Sequence, residues 1–404
     1  MGDISPVRER LAPLVAYHLS RAKSVIGEEA FAAAAAGQGG KIGVVGAGVM
    51  GCSVAATAAA WGADVLVYDV AATAADRVTR ITDRLPTAIV GYDADHPVAR
   101  DSVGGCSFAG DLDALADCDL IIESVTEDIQ VKRGALVELE SRLPEQTVIG
   151  SNTSTIPIGR LGLEMRRPDR LVGMHFFHPV WQCPLIEIAR GPGTSDEAYA
   201  AAIGRCLAWR RLPLLAPDTP GFIVNRLLLA YGGEAMRLLI EGVDPERMNA
   251  AVEAQGVRWG PLRMLDEVGL DTVFRCGWRL AEVAPRAAPK EPILAKLVKA
   301  GMLGRKSGVG FLRYGDGQPL GVNPAAAHII ETYRQDPPPA AAPRTDQEIV
   351  ARILRAIAAE GQRIIDENPD ARSQHDIDAG MILGLGFPAQ RNGWAARRGA
   401  FRAV

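Results

Sequence analysis

A glycine-rich turn between a strand-like and a helix-like segment constrains the fold of this chain more strongly than its other features. Gly46, Gly48 and Gly51 form the sequence GAGVMG, directly after the β-branched run KIGVV and directly before an alanine-rich stretch. Asp69 lies near the end of the next strand-like run, DVLVYDV, roughly twenty residues downstream. Strand, glycine turn, helix and a later acidic residue together form a dinucleotide-binding fingerprint. The sequence therefore predicts a Rossmann-type domain.

The residue types in this turn indicate the chemistry of the ligand. Glycines let the backbone approach a pyrophosphate, and the helix N-terminus offers unpaired N–H groups to its negative charge. A carboxylate at Asp69 can accept a hydrogen bond from a ribose 2′-hydroxyl and would repel a 2′-phosphate, so the sequence favours NAD over NADP. The predicted cofactor-binding residues of this region are Gly46, Gly48, Val49, Met50, Gly51 and Asp69.

Length and patterning predict several domains. The chain has 404 residues, more than one compact domain usually holds. From Lys41, short β-branched runs alternate with alanine- and leucine-rich stretches, which indicates a mostly parallel, doubly wound α/β sheet. After Asp218 helical periodicity takes over, and DPPPAAAP forms a tether before a last helical stretch. The predicted units are an N-terminal helix (Leu11 to Ile26) within 1–40, a NAD-binding Rossmann domain at 41–217, an all-helical domain at 218–335, a linker at 336–344 and a second, related all-helical domain at 345–404.

An internal repeat spans the tether. Two amphipathic helices can resemble each other by chance, but agreement later in the chain, WGP against GFP, favours a duplicated helical domain. The repeat is carried by Arg226, Glu234 and Arg237, which have counterparts at the same eight- and three-residue spacings in Arg352, Glu360 and Arg363.

Composition excludes several classes of function. The 44 basic and 48 acidic residues give a net charge of −4, which argues against broad contact with a nucleic-acid backbone. The six cysteines are scattered without a C-x-x-C pair or a Cys/His spacing suited to zinc, so no metal site is predicted. No apolar run reaches the ~18 residues of a membrane span, and no secretory leader pattern opens the chain. We predict a cytoplasmic protein with no nucleic-acid or membrane partner.

Four polar residues beyond the glycine turn form a candidate catalytic set. Ser154 ends SNTS after the strand-like run TVIG, and His175 opens HFFHP after LVGM; Glu187 lies in PLIEIA and Asn225 in DTPGFIVNR. Oxidising an alcohol with NAD needs a base for the hydroxyl proton, a carboxylate to orient that base, and donors for the developing carbonyl oxygen. Each residue alone could be structural, because a buried histidine or a capping serine is common. Together they predict a dehydrogenase site.

The ordered series of motifs closely resembles the L-3-hydroxyacyl-CoA dehydrogenase family. The resemblance runs from Lys41 to about Phe311 through GAGVMG, ESVTEDIQVK, SNTS, HFF-x-P, DTPGFIVNR, GPLRMLDEVGLD and LGRKSGVGF. It implies NAD-dependent interconversion of a (3S)-3-hydroxyacyl thioester and a 3-oxoacyl thioester. It also implies roles for single residues: His175 as general base, Glu187 as its partner, Ser154 and Asn225 on the substrate oxygens, and Glu127 and Lys132 on the nicotinamide side of the cofactor.

The C-terminal part resembles a more specific group. DIDAGMILGLGFPAQRNG is similar to the second helical repeat of bacterial multifunctional β-oxidation enzymes, and the helix before Gly37 is similar to the linker helix before their dehydrogenase part. This resemblance implies a place in fatty acid metabolism. In the family two subunits pair through single helical domains, whereas the duplicated form supplies both within one chain. Monomer and homodimer therefore both stay open.

Two departures from the family pattern concern the substrate. The family usually has HFFNP, and His178 replaces that substrate-binding asparagine, so the pocket gains a larger side chain that can titrate. Many members carry a serine and a lysine for CoA on the helix after Asp69, where an ungapped count places Leu85 and Tyr92. The thioester carrier is then either CoA or the phosphopantetheine of an acyl carrier protein, as in relatives that oxidise a glyceryl thioester for extender units. Contacts with such a carrier protein would involve Arg77, Arg80, Asp83 and Arg84, which otherwise form a solvated helix face.

Two other interpretations compete with the thioester dehydrogenase. A non-thioester member would oxidise a free hydroxy acid, as relatives acting on sugar acids and carnitine do. A NAD-binding regulatory protein without catalysis belongs to a different class, and the intact histidine, carboxylate and oxygen-binding residues argue against it. The favoured prediction is a NAD-dependent 3-hydroxyacyl thioester dehydrogenase.

Overall fold

The computed structural model describes residues 5–36, 40–71, 73–83, 88–98, 103–283, 292–336, 339, 342, 345–367 and 373–389. The chain forms two compact units, Met1–Phe222 and Ile223–Val404. The first unit contains a mostly parallel sheet with helices, and the second is largely helical. The predicted fold class, a Rossmann-type α/β domain followed by helical domains, is therefore confirmed.

An eight-stranded sheet forms the core of the first unit. The strands described in this unit are β1 (Lys41–Val45), β2 (Asp64–Tyr68), β3 (Ala88–Val90), β4 (Asp95–Pro97), β5 (Cys106–Phe108), β6 (Leu120–Glu123), β7 (Val148–Ser151), β8 (Leu171–Phe176), β9 (Leu185–Ala189) and β10 (Leu212–Ala216). The large sheet has the order β10-β9-β8-β7-β6-β1-β2-β5. All of its neighbouring strands are parallel except β8 and β9, which pair antiparallel. The central strands are apolar on both faces, as parallel strands covered by helices are.

Helices cover this sheet, and their ends follow from local sequence. Asp128 caps α5 by accepting hydrogen bonds from the backbone N–H groups of Gln130 and Val131, and Ser195 caps α7 by accepting from Ala198 N–H. The helices of the first unit are α1 (Ser5–Ile26), α2 (Glu28–Ala36), α3 (Val49–Ala60), α4 (Ala74–Asp83), α5 (Ile129–Arg142), α6 (Ile158–Leu161) and α7 (Asp196–Ala208), with short 3₁₀ turns at Asp113–Leu115, Gly162–Glu164 and Pro168–Arg170.

The N-terminal helix α1 is longer than the predicted stretch from Leu11 to Ile26, because it begins at Ser5. Its buried stripe contains Leu14, His18 and Ala22, and it packs against β10 and α7. The helix therefore lies on the first unit, which supplies the apolar surface that its amphipathic pattern requires.

A small antiparallel hairpin, β3–β4, lies between α4 and β5 and was not predicted from the sequence. Val90 N–H donates to the backbone oxygen of Trp181 at 2.8 Å, and the Arg211 guanidinium donates to Val90 O at 2.7 Å. The first bond attaches the hairpin to the loop between β8 and β9, and the second attaches it to the residue directly before β10. The segment after Asp69 therefore contains a short helix followed by a hairpin.

The second unit is helical except for one hairpin. That hairpin corrects the prediction of an entirely helical unit: buried Asp266 accepts hydrogen bonds from Phe311 N–H, Leu312 N–H and the Tyr314 hydroxyl at its start. The described helices are α8 (Val224–Ile240), α9 (Pro245–Glu253), α10 (Pro261–Val268), α11 (Leu270–Val283), α12 (Pro292–Lys299), α13 (Pro324–Tyr333), α14 (Asp346–Glu367) and α15 (Gln374–Ala379), with a 3₁₀ turn at Arg305–Ser307 and a π-helical turn at Gly380–Gly384. The hairpin strands are β11 (Leu312–Gly315) and β12 (Gln318–Val322).

Helix α14 packs along α8, so the two predicted repeats face each other within this unit. Arg226 of α8 pairs with Glu360 of α14, and Arg352 of α14 pairs with Glu234 of α8. The reciprocal pairs join the same residues that carry the repeat in the sequence. Most of the tether and residues 390–404 lie outside the described residues. Across the described part of the chain, no helix combines the length and apolar character needed to cross a membrane.

Candidate active site

The glycine turn connects β1 to α3 and has the geometry that a pyrophosphate requires. Gly46 has φ 105°, and a Cβ there would lie 2.5 Å from the Ser124 backbone oxygen. A Cβ on Gly51 would lie 1.8 Å from Gly46 O, so α3 can start this close to the turn only with glycine. A Cβ on Gly48 would meet no atom within 4 Å. The turn is thus closely packed at its two ends and open in its middle, where a ligand can approach the backbone.

Asp69 follows β2 and lies against the turn. Its Oδ2 accepts a hydrogen bond from Ala47 N–H at 2.6 Å, and its Oδ1 accepts from Ala71 N–H at 2.7 Å. Arg77 of α4 donates to Ala47 O at 2.9 Å, which holds its guanidinium at the same turn. Val49, the first residue of α3, is 71% exposed. These residues fit a dinucleotide: open backbone for the pyrophosphate, and an acidic residue at the end of the second strand for a ribose.

A buried ion pair lies at the end of β6. Glu123, the last residue of β6, is fully buried, and its Oε1 accepts from Lys132 Nζ and from Val125 N–H, both at 2.8 Å. Its Oε2 accepts from the Ser151 hydroxyl at 2.5 Å. Lys132 is only 1% exposed and also lies 3.4 Å from Glu127 Oε2. A buried carboxylate is stable when its oxygens are paired in this way.

Glu127 organises the SNTS segment that follows β7. Its Oε1 accepts from the Thr153 hydroxyl, from Ser154 N–H and hydroxyl, and from Thr155 N–H and hydroxyl, at distances of 2.8 to 3.2 Å. Burial alone would raise the pKa of Glu127, but Lys132 and these hydrogen bonds hold it below its ordinary value. Glu127 is therefore ionised at neutral pH and fixes the position of Ser154.

The histidine and the glutamate of the predicted catalytic set meet at the antiparallel strand pair. His175 lies inside β8, not after the strand as the sequence suggested, and is paired in register with Glu187 of β9. His175 Nδ1 lies 2.6 Å from Glu187 Oε2, and the two residues are 7% and 0% exposed. Phe177 and Phe222 contact the imidazole, with ring centroids 4.5 and 5.9 Å away. Among the described residues, no hydrogen-bond partner meets His175 Nε2.

The loop after β8 carries His178, the departure from the family pattern. His178 is exposed, and its ring lies edge-on to Trp181 with centroids 6.3 Å apart. Partial burial lowers the pKa of His178 below 6.5. Val180 N–H donates to the Ser53 hydroxyl of α3 at 2.9 Å, so this loop is attached to the helix that begins at the glycine turn.

The other predicted residues lie at several places. Asn225 is in the first turn of α8, in the second unit, and its role stays a prediction. Tyr92 lies in the turn of the β3–β4 hairpin and not on a helix, so the ungapped count does not carry over to it. Arg80 is exposed on α4. Leu85, Arg84 and the side chain of Asp83 lie outside the described residues.

Comparisons with known proteins show the family of this chain. The sequence profile of the 3-hydroxyacyl-CoA dehydrogenase NAD binding domain matches residues 41–219, and that of the C-terminal domain matches residues 221–314. The chain belongs to the 3-hydroxyacyl-CoA dehydrogenase family. The predictions of NAD as cofactor and of a NAD-dependent enzyme of this family are confirmed.

Similar proteins of this family come from several bacteria. The fatty acid oxidation complex subunit alpha of Acinetobacter baumannii strain AYE is 32% identical over 357 residues, which are 87% of this chain and 49% of that protein. The chain thus spans about half the length of the curated relatives it matches. The 3-hydroxybutyryl-CoA dehydrogenase of Escherichia coli K12 has a TM-score of 0.68 at 25% identity, covering 86% of this chain and 89% of that one. The (S)-3-hydroxybutyryl-CoA dehydrogenase of Ralstonia eutropha has a TM-score of 0.60 at 31% identity, covering 68% and 99%.

Two residues around the site were not singled out from the sequence. Glu123 ends an otherwise apolar strand, and an acid inside a buried strand is a signal that could have indicated its pairing with Lys132. Phe222 has φ 49°, which is rare for a bulky residue, and no sequence signal marks it as a contact of His175.

Over the described residues, no group of three or more His, Cys, Asp or Glu side chains is arranged to hold a metal ion.

Proposed function

We propose that this protein interconverts a (3S)-3-hydroxyacyl thioester and a 3-oxoacyl thioester, with His175 as the general base. The observation that carries the proposal is the buried contact between His175 Nδ1 and Glu187 Oε2, 2.6 Å long and fixed by the register of β8 and β9. NAD, when bound, accepts the hydride from the alcohol carbon. The names of the similar proteins support the substrate class, because two of them are 3-hydroxybutyryl-CoA dehydrogenases.

The contact with Glu187 assigns different tasks to the two ring nitrogens of His175. A carboxylate can only accept a hydrogen bond, so Nδ1 carries the N–H, and Nε2 is left with a lone pair to take the proton of the substrate hydroxyl. The imidazolium that forms is stabilised by the Glu187 carboxylate, whose fixed position requires no reorganisation during the reaction. In the reverse direction Nε2 returns the proton to the developing alkoxide.

Ser154 is proposed to hold the substrate oxygen. Its hydroxyl donates to Glu127 Oε1 at 3.2 Å, the longest of the bonds to that oxygen, whereas its N–H bond to the same atom measures 2.9 Å. The backbone contact can therefore keep Ser154 in place while the hydroxyl turns to a substrate oxygen. Asn225 is proposed as the second donor, on the resemblance of VNR to the family motif.

The experiment that tests this function follows NADH absorbance during reduction of acetoacetyl-CoA, with NADPH in a parallel assay. We expect turnover with NADH, its loss in His175→Gln, and unchanged turnover in the control His328→Gln, which changes a histidine on α13 of the second unit. NADH titration should give the same affinity for His175→Gln and the native protein, because the glycine turn is intact. Turnover that survives in His175→Gln would overturn the assignment, and turnover only on free hydroxy acids would replace the thioester substrate.

A carrier-protein thioester is the second candidate substrate. Its support is the segment after Asp69, where α4 ends at Asp83 and the β3–β4 hairpin follows, while family members that bind CoA carry a serine and a lysine on a helix there. The assay is therefore repeated with the same acyl group on an acyl carrier protein. Turnover restricted to the carrier protein, reduced in Arg80→Glu by loss of an exposed positive charge on α4, would favour this candidate. Faster turnover on acyl-CoA would exclude it.

A further inference from the structure

A polar groove runs between α8 and α14 in the second unit. Its volume is about 660 Å³, within the range of small-molecule sites. Small residues line it on both sides: Ala230 and Gly233 from α8, and Ala356 and Ala359 from α14. Because these side chains are short, they leave space between the two helices that neither repeat fills.

The ion pairs along this groove follow the internal repeat. Arg226 Nε lies 2.6 Å from Glu360 Oε1, and Arg226 Nη1 lies 2.9 Å from Glu367 Oε2. The counterparts of these three residues in the other repeat form the same pairs. Each counterpart lies the same number of residues away along the chain. These pairs join Arg352 to Glu234 and Glu241.

A further arginine of each repeat lies at the edge of the groove. Arg363 pairs with Glu360 at 2.9 Å, Arg237 pairs with Glu234, and each of these two arginine side chains is 50% exposed. Both glutamates are already paired with a buried or half-buried arginine of the other helix. The exposed guanidinium of Arg363 therefore retains N–H donors that face solvent.

One position breaks the charge symmetry of the groove. Leu229 on α8 corresponds by the same interval to Arg355 on α14, and both line the groove. Arg355 is exposed, and among the described residues it has no carboxylate within ion-pair distance. The lining contains five arginines and three glutamates, and Glu367 adds a fourth negative charge through Arg226. Arg355 thus supplies the uncompensated positive charge.

We propose that this groove is a binding site for a phosphate-bearing small molecule, held by Arg355 together with Arg363. Arginine donates two parallel hydrogen bonds to phosphate oxygens, so the two guanidinium groups of Arg355 and Arg363 beside an unfilled groove match a ligand with a di- or polyphosphate group. The four glutamates stay engaged with Arg226 and Arg352, which keeps them from repelling the anion at the positions of the exposed arginines. The site is independent of the proposed hydride transfer.

Calorimetric titration with inorganic pyrophosphate tests this site. The protein is first saturated with NADH, because the glycine turn is itself a pyrophosphate site. We expect one saturable site that weakens as the salt concentration rises. Arg355→Leu should lower the affinity about tenfold or more, since one charge-assisted pair is lost. Leucine is the residue at the symmetric position 229, so this substitution is compatible with the helix pair.

The matched control is Arg313→Leu, which removes the same charge from an exposed position on β11 outside the groove. Arg355→Gln is a second variant that keeps a polar side chain, and it should show the same loss as Arg355→Leu. Acetoacetyl-CoA turnover is followed in all variants and should stay at the native rate without pyrophosphate. Absence of saturable binding to the native protein would overturn the proposal. Equal loss in Arg313→Leu and Arg355→Leu would also overturn it, because the effect would then be one of net charge.

Discussion

His175 and Glu187 are direct cross-strand neighbours on β8 and β9, with Nδ1 of the histidine 2.6 Å from Oε2 of the glutamate. Side chains that oppose each other across an antiparallel pair point to the same face, so the sheet itself sets this contact. Both residues lie inside regular strands and are nearly closed to solvent. A base held in this way needs no loop movement to meet its carboxylate.

The first prediction removes the charge of Glu187 and keeps its shape. In Glu187→Gln the amide oxygen can still accept from Nδ1–H, but it cannot stabilise the imidazolium by charge. We expect kcat for acetoacetyl-CoA reduction to fall about hundredfold or more, with the NADH affinity unchanged. Steady-state kinetics and an NADH titration measure the two quantities. A kcat within a few-fold of the native value would contradict the proposed pairing.

The second prediction concerns Glu127 and the stability of the first unit in acid. Its pKa lies below 4.5 in the folded state, so its stabilising contribution is present above about pH 4.5 and is lost as the pH falls through the folded value. Glu127→Gln removes this contribution, and it also removes the negative charge near Lys132. We expect the variant to be less stable by about 2 kcal/mol at pH 7.

The measurement for Glu127 is thermal unfolding between neutral pH and about pH 3. The Tm difference between the native protein and Glu127→Gln should shrink as the pH falls below about 4.5, because the carboxylate is protonated first in the unfolded chain and then in the folded one. The control is Glu138→Gln on the same helix α5, an exposed residue whose replacement should leave the Tm difference constant. A difference that does not change with pH would assign the stability effect to something other than the charge.

The third prediction concerns cofactor choice at Asp69. Its carboxylate lies against the glycine turn, and Arg77 holds its guanidinium on Ala47 O close by. Asp69→Ser removes the group that repels a 2′-phosphate and leaves Arg77 available to pair with one. We expect kcat/KM for NADH to fall about tenfold and that for NADPH to rise. In the double variant with Arg77→Gln the increase in kcat/KM for NADPH should disappear. An increase that persists would show that Arg77 does not bind the 2′-phosphate.

Much of the sheet could be predicted because its central strands are short apolar runs next to turn signals. β1 and β6 are buried on both faces, and that composition is typical of parallel strands. β5 has only three residues, Cys106–Phe108, too few for a pattern to be recognised. The reversal of β9 did leave a signal: the connection from Phe176 to Leu185 is too short for a crossover to a parallel neighbour.

The polar contacts of the site were harder to predict from the sequence than the strands of the sheet. The types of His175, Glu187 and Ser154 indicated their chemistry, but their contacts depend on strand register and on the order of strands in the sheet. Lys132 resembles a solvated helix charge in the sequence, and only the position of Glu123 at the end of β6 explains why it is buried. The repeat was visible because both copies kept the residues that pair across α8 and α14.

The last prediction concerns His178, which occupies the position of the usual asparagine. Its pKa is below 6.5 when folded, so between that value and 6.5 the unfolded chain binds more protons than the folded one. Stability must therefore fall as the pH drops below about 6.5, and His178→Asn should lose less stability over that range.

The same substitution separates the stability effect of His178 from its effect on the substrate. At pH 7 the imidazole is neutral and can donate one hydrogen bond, as an asparagine amide can, so kcat should be retained. KM for short and long acyl substrates should change by different factors, because asparagine is smaller and opens space beside Trp181. Unfolding at pH 7.5 and about pH 5.5, with KM for two acyl lengths, provides the test. Equal acid sensitivity in both proteins would mean that His178 does not titrate in this range.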